Sequence, residues 1–526
     1  MFRSWWQAGF EGADHVNSHG RPLHPNDING HQACVDEDYA GLAPFGIRTV
    51  RESVGWRICT AGGAPDFTPL NGRLESAARR GLQVVWTICH YGMPAGTDVL
   101  DPGFPARFAE FAHAAASHVR QFERGAIYVL INEPSFFTWA LANSNLMGEW
   151  PRLRGRGDDV KRQLMAAIIS GAEAVRDADP KARFLHVDPV IHVGSSKGDP
   201  ESRAGAERER ASQFPAWDMA MGFAEPQLRG SPSLVDCIGV NYYHSNQWEY
   251  GLNEPYFWHL KDPRRISFSS LLMEMWDRYR RPLLVAETSH VGVGRAEWIG
   301  EIVTEVDRAC AAGVDVRGIC LYPYMDRVDW QDDTHWHRSG LWDVVPKSDG
   351  TPARQLDCFY ARRLLRLQGR PVESAATRAL HPGIDRAIVA FCPLPWADAP
   401  LRVRSVMSRL AAFRTILFVD APGNDADEPW LEETNPYPGV HVLTPHLRAG
   451  SADERAAETS HLMARHLAED PVRVEVVWLY EPIARELAAQ WPDAMIVREP
   501  AGMAIDTRAA HVEQPEFPVA AGDGRA

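Results

Sequence analysis

The sequence predicts an α/β fold: a (β/α)8 TIM barrel followed by a second, smaller Rossmann-like α/β domain. Eight short apolar runs of β type recur through residue 322, at intervals of about 35 to 60 residues. Between them lie stretches with apolar positions every three or four residues, and alternating strand and helix order implies a parallel sheet. Eight repeats fit a closed barrel better than an open doubly wound sheet, and no G-x-G-x-x-G follows the first run. At 526 residues the chain exceeds a single core, so at least two domains are expected.

In chain order the expected strands are Phe2 to Phe10, Ile47 to Arg51, Leu82 to Cys89, Ala126 to Asn132, Arg183 to Val187, Val235 to Asn241, Leu283 to Ala286 and Val316 to Tyr322. Each is rich in β-branched and aromatic residues, as a strand buried on both faces requires. The helical period is clearest over Phe104 to Phe122, Val160 to Ala178 and Ala296 to Ala312. Insertions rich in Trp, Gly, Pro and Arg follow the fourth, fifth and sixth runs, at Phe136 to Gly157, Val193 to Gln213 and Ser245 to Arg265, and are expected at the barrel mouth. A last helix over Ala353 to Leu367 would close a barrel domain spanning residues 1–368. Residues 369–383 read as a linker on their Gly, Pro, Ser and Thr content.

Beyond the linker the pattern restarts in a small domain over 384–508. Strands are expected at Ala387 to Cys392, Thr415 to Val419, Val440 to Leu443, Val474 to Leu479 and Met495 to Val497, with helices at Ala452 to Leu467 and Ile483 to Gln490. The Ala-, Gly- and Pro-rich stretch 509–526 reads as a mobile tail.

Composition excludes several classes of function. A net charge of −14 opposes binding to nucleic acid or to an anionic membrane, which needs clustered Lys and Arg. The eight cysteines show no C-x-x-C spacing, so neither a zinc site nor a disulfide framework is signalled. Without a leader-like N-terminus, and without a run near the roughly 18 apolar residues a membrane span needs, a cytoplasmic location is expected. Oligomeric state is not encoded in any feature of the sequence. His335 and His337 lack a defined third ligand, and His15, His19 and His24 read as loop structure or substrate lining, so no metal is expected at either cluster.

The chemistry rests on Glu133 and Glu287, each closing an apolar run. A carboxylate in low dielectric loses several kcal/mol of hydration unless partners compensate, so such positions are functional candidates. Their separation of 287 − 133 = 154 residues is about three βα units, which puts them on strands 4 and 7, opening on one pocket. One carboxyl group can then act as acid and the other as nucleophile. Asn132 can donate to a sugar 2-hydroxyl, Arg51 and Tyr243 can stabilise ionised Glu287, and His90 adds a polar wall.

Several of these segments together resemble glycoside hydrolase family 1, the β-glucosidase type among the clan A retaining barrels. Val50 to Trp56 resembles Y-R-F-S-x-x-W, Thr87 to Pro94 resembles T-L-x-H-W-D-x-P, and Ile131-Asn132-Glu133-Pro134 resembles the acid/base motif T-x-N-E-P. Gly239 to Tyr243 is similar to G-x-N-Y-Y, Glu287 falls where T-E-N-G is expected, and Tyr322 to Trp330 with Gly340-Leu341 is similar to the family's last strand and the segment after it. The resemblance covers roughly residues 1 to 367. It implies a retaining β-glycosidase with Glu133 as acid/base and Glu287 as nucleophile, about 5 to 5.5 Å apart, and needs no metal or organic cofactor. It further implies that Arg51, His90, Asn132, Tyr243 and Trp330 bind substrate.

Phe10-Glu11-Gly12 resembles Q-x-E-G without its Gln, for which Gln7 is a substitute, and the nucleophile motif reads Ala-Glu-Thr-Ser. The loop aromatics Trp139, Trp150, Trp248, Trp258 and Trp336 suggest an oligosaccharide or glycoconjugate substrate. The rival readings are transglycosylation on the same carboxylates, a non-catalytic carbohydrate-binding protein, and one half of a transferase. In the small domain Val476 to Pro482 resembles a segment from the N-terminal half of two-Rossmann-domain glycosyltransferases; with one lobe only, no transferase activity is inferred.

Overall fold

The computed structural model describes residues 1–197, 199–346, 351–369, 386–411, 414–437, 439–469, 472–480 and 485–499. The expected linker beyond Gly369, the tail and the start of the Ile483 helix lie outside the described residues. The chain divides into two compact units, Met1–Gly383 and Ile384–Ala526.

The first unit is a closed eight-stranded parallel barrel. Its strands are β1 (Trp6–Gly9), β2 (Thr49–Ser53), β3 (Gln83–Cys89), β4 (Ile127–Ile131), β5 (Arg183–Pro189), β6 (Cys237–Asn241), β7 (Leu283–Thr288) and β8 (Val316–Leu321), and β8 pairs back to β1. All eight fall within or beside the expected runs. Alternate residues face opposite layers: Val85, Ile127, Val129, Leu185, Val187, Leu284 and Ala286 pack in the lumen. Val84, Trp86, Tyr128, Leu130, Ile238 and Val285 instead join the larger core beneath the helices. Both faces are dry, which explains the near-continuous apolar runs.

Differences from expectation lie in the connections. The segment expected as a helix from Ala353 begins as strand Pro352–Leu356, antiparallel to Trp342–Pro346, and becomes helical only at Cys358–Leu367, where Asp357 caps the first turn through Tyr360 N. Short strands His192–Gly194 and Gln247–Glu249 pair in parallel and tie the second insertion to the third.

An ionic chain lies behind β2. His31 donates from both ring nitrogens, to Asp38 at 2.7 Å and to Glu52 at 3.0 Å, while Arg73 reaches Glu52 at 3.0 Å and Arg354 reaches Asp38 at 2.6 Å. Burial opposes the imidazolium, but the two carboxylates outweigh it and raise the His31 pKa. Arg51 and Glu52 thus project from opposite faces of one strand, into the lumen and into this chain respectively.

The second unit is a six-stranded sheet in the order β11-β12-β10-β9-β13-β14, formed by β9 (Arg386–Phe391), β10 (Thr415–Val419), β11 (Trp430–Tyr437), β12 (Val440–His446), β13 (Arg473–Tyr480) and β14 (Met495–Glu499). All pairings are parallel except β11 with β12. Ile388 and Ala390 pack with Met407 on one face, Val389 and Phe391 with Met463 on the other, giving helices on both sides. The edge strand β11, which is largely polar and exposed, and the helix Leu401–Leu410, which buries only Val403 and Met407, were not expected. Among the described residues no helix is long and apolar enough to cross a membrane.

Candidate active site

Strand ends position both carboxylates and their direct partners. Asn132 N donates to Cys89 O at 2.9 Å and Glu133 N to Val187 O at 3.1 Å, so β4 stays paired to both neighbours up to the carboxylate. The helix Pro134–Ala142 starts at the next residue, with Ser135 N donating to Asp188 Oδ1 at 3.1 Å. To make this turn, Glu133 adopts φ 43°, and Tyr91 at the end of β3 adopts φ 75°. A left-handed conformation costs a non-glycine residue about 1–3 kcal/mol, and here two such residues hold each other through a hydrogen bond.

Glu133 is 8% exposed and Glu287 4% exposed. Around Glu133 all donors are neutral: the Tyr91 hydroxyl donates to Oε2, and Asn241 Nδ2 donates to Oε1 at 2.7 Å. Glu287 instead faces a cation. Arg51 Nη1 donates to its Oε1 at 2.6 Å and the Tyr243 hydroxyl to its Oε2 at 2.8 Å. The Arg51 guanidinium also reaches Asn132 Oδ1 at 2.5 Å and Thr87 Oγ1 at 3.1 Å, which fixes its fork. The register pairs Asn241 with Glu287 across β6 and β7, so one asparagine links the neighbourhoods of both carboxylates.

Burial pushes Glu133 up to about 8, reinforced by the Glu287 charge and opposed by Tyr91 and Asn241. Burial also raises Glu287, against which the Arg51 guanidinium and the Tyr243 hydroxyl act. Burial works against Arg51 too, but Glu287 raises its pKa above the ordinary arginine value. Two carboxyl groups, one held by neutral donors and one beside a buried cation, form an arrangement that can serve proton transfer at the first and negative charge at the second.

His90 lies in the site with both nitrogens engaged. Asn132 Nδ2 donates to Nε2 at 2.9 Å, and Nδ1 lies 3.3 Å from the Tyr322 hydroxyl. Burial, with Arg51 adding, holds it far below the usual histidine range, so the ring is neutral. Tyr322 lies beneath Arg51, ring to guanidinium 5.2 Å, and its hydroxyl receives Gly12 N at 3.2 Å. Its ring takes the space of a side chain at position 9: a Cβ on Gly9 would lie 2.0 Å from Tyr322 Cδ2.

Trp330 joins the same side of the site, 5.8 Å from Tyr91 and 5.0 Å from His15, with the Arg327 guanidinium over it at 5.4 Å. Arg327 also pairs with Glu11 at 3.2 Å. The seven residues singled out from sequence thus come together at one end of the barrel. Gln7 does not join them: it pairs with Thr49, two residues below the level of Arg51, and its amide points at Gly318. Of the tryptophans expected in loops, Trp139 lies instead on the helix Pro134–Ala142 and alone is strongly exposed, while Trp150 and Trp248 donate to Met147 O and Glu209 Oε1. His337 pairs with Asp329 at 3.0 Å, and among the described residues no group of three or more His, Cys, Asp or Glu could hold a metal ion. Sequence reasoning missed Tyr91 and Asn241 as partners of Glu133, although both stand inside the quoted motifs.

No protein-family model and no curated protein matches the sequence. Solved structures do. The β-glucosidase from Thermotoga maritima in complex with glucoimidazole is 14% identical with a TM-score of 0.58, over 70% of this chain and 98% of that one. The AHE enzyme from Alicyclobacillus herbarius is 16% identical with a TM-score of 0.57, over the same 70% and 98%. The β-glycosidase from the hyperthermophile Thermosphaera aggregans is 15% identical with a TM-score of 0.55, over 72% and 99%. At such identity the likeness establishes fold, and the barrel has the fold of family 1 β-glucosidases.

Proposed function

We propose that the barrel, which shares its fold with family 1 β-glucosidases, is a retaining β-glycosidase with Glu133 as acid/base and Glu287 as nucleophile. One observation carries the reading: the asymmetry of partners, a guanidinium at 2.6 Å from Glu287 and only neutral donors on Glu133.

In the first step Glu287 Oε attacks the anomeric carbon. The bond to the leaving oxygen breaks as Glu133 gives that oxygen its proton. Arg51 and Tyr243 hold the negative charge on Glu287 until it is consumed in the glycosyl ester. Loss of that charge lowers the pKa of Glu133, whose elevation the Glu287 charge reinforces, and so readies it as a base. In the second step Glu133 takes a proton from water, the hydroxide oxygen bonds to the anomeric carbon, and the ester to Glu287 breaks. Configuration inverts twice and is retained. The substrate class is a β-linked carbohydrate or glycoconjugate.

Incubation with an activated aryl β-glycoside tests the reading. A glycosyl adduct mapped by mass spectrometry to Glu287, and azide rescue of Glu287→Ala with inverted product, are expected. A fully active Glu287→Ala variant would remove the nucleophile assignment, and sugar binding without turnover would point to a lectin-like protein.

A further inference from the structure

Another carboxyl group lies beside Glu133 that the two-step mechanism leaves unused. Asp188, near the end of β5, is 0% exposed. It brackets Glu133 from both sides in the chain. Glu133 N donates to the carbonyl of Val187, the residue before Asp188, and Ser135 N, two residues past Glu133, donates to Asp188 Oδ1 at 3.1 Å. The other oxygen, Oδ2, is buried and has no hydrogen-bond partner. Lys161, on the helix Gly157–Ala178, acts on Asp188 through its field, while its ammonium donates to Ser212 O at 3.0 Å.

Holding a first-turn amide does not call for a charge. Asn or Ser receives such an amide about as well as Asp does, without the cost of burying an anion. A carboxyl group kept dry beside a proton-transfer residue therefore acts through its charge. Burial pushes Asp188 up to about 7, with Ser135 and Lys161 opposing, so it is ionised where Glu133 gives up its proton, at about 8. Four groups face Glu133 from the other strands. Glu287 on β7 and Asp188 on β5 favour its protonated form, whereas Tyr91 after β3 and Asn241 on β6 are neutral donors that favour the anion. The two acidic neighbours differ in what the reaction does to them: the charge of Glu287 vanishes into the glycosyl ester, and that of Asp188 stays.

We infer that Asp188 is a positioning residue for Glu133, fixing the turn that follows it and, by a standing negative charge, keeping the proton on Glu133 until the leaving oxygen takes it. The inference rests on the glycosidase reading given above.

Asp188→Asn tests it, because the amide keeps the oxygen that receives Ser135 N and removes the charge. On a β-glycoside with a weakly acidic leaving alcohol, the alkaline limb of kcat/KM should move down by about half a pH unit. The rate at pH 9 then falls about threefold, while the rate at pH 6 stays within about twofold of wild type. Melting temperature at pH 6 should not fall, whereas Asp188→Ala, which loses the acceptor as well, should melt lower and show the same shift of the limb. Should the asparagine variant not fold, Asp188→Ser, which also accepts without charge, carries the same expectation. A limb that stays in place or moves up, or a loss of rate equal at every pH, overturns the role of Asp188 and leaves the glycosidase reading standing. Absence of turnover and of a Glu287 adduct in the wild type overturns that reading, and this inference with it.

Discussion

Tyr91→Phe removes one hydroxyl from Glu133, the proposed acid/base, and its effect is readable in the pH dependence of the proposed first chemical step. That hydroxyl accepts from Asn132 Nδ2 at 2.9 Å, which directs its proton to Glu133 Oε2. Tyr91 is 2% exposed, so water does not replace the lost donor. A hydrogen bond to a charged group is worth about 1.5–3 kcal/mol. Because a protonated carboxyl keeps part of the same contact, roughly half of this distinguishes the two states, or about one pH unit. The groups facing Glu133 from the other strands, Glu287 on β7 and Asp188 on β5, are unchanged by the substitution. The proposed glycosylation step uses protonated Glu133, so kcat/KM is expected to decline as pH rises through its pKa of about 8. Losing a donor that favours the anion moves this alkaline limb upward by about one unit. The assay is kcat/KM between pH 5 and 10 on a glycoside with a weakly acidic leaving alcohol, which makes protonation indispensable. An alkaline limb that stays in place, or shifts downward, refutes the positioning of Glu133 by Tyr91.

Three further outcomes are expected. Glu133 has a folded pKa above its unfolded value, so the native state binds an extra proton between the two and wild-type stability falls as pH rises through that window. Calorimetry on Glu133→Gln should therefore show a stability advantage over wild type that grows from about pH 4.5 and levels off above about 8, of order a few kcal/mol. Arg51→Met leaves buried Glu287 without its cation; urea unfolding should show a loss of about 3–5 kcal/mol, and kcat should fall at least about 100-fold. Gly9→Ala drives a methyl into the Tyr322 ring, so a stability loss of about 1–3 kcal/mol is expected by thermal unfolding, with a lower kcat as the ring is displaced from beneath Arg51.

Strand identity and the two glutamates were legible because both follow from local sequence. A strand buried on two faces must be apolar, and a carboxylate ending such a strand stands out against it. Positions whose meaning comes from distant partners were hidden. Gly9 reads as an ordinary strand glycine until Tyr322, 313 residues away, is seen against it. Tyr91 reads as an aromatic after a histidine, and only the positive φ of both Tyr91 and Glu133 turns its hydroxyl onto the carboxylate. Gln7 failed for the opposite reason: proximity in sequence to Glu11 suggested a role, but a strand rises about 3.3 Å per residue and carries it below the pocket. The strand Pro352–Leu356 was concealed because its residues show no alternation of apolar and polar types, and its antiparallel partner Trp342–Pro346 decides.

The ionic chain behind β2 has a bearing on how this barrel can be shortened. Asp38 belongs to the first connection after β1, while Arg354, which neutralises it and also donates to Asn29 O at 2.6 Å, arrives after all eight strands are complete. The terminal hairpin is thus a clasp fastened across the seam where β8 meets β1. A truncation that stopped at β8 would keep every barrel strand yet take from Asp38 the guanidinium that shares it with His31.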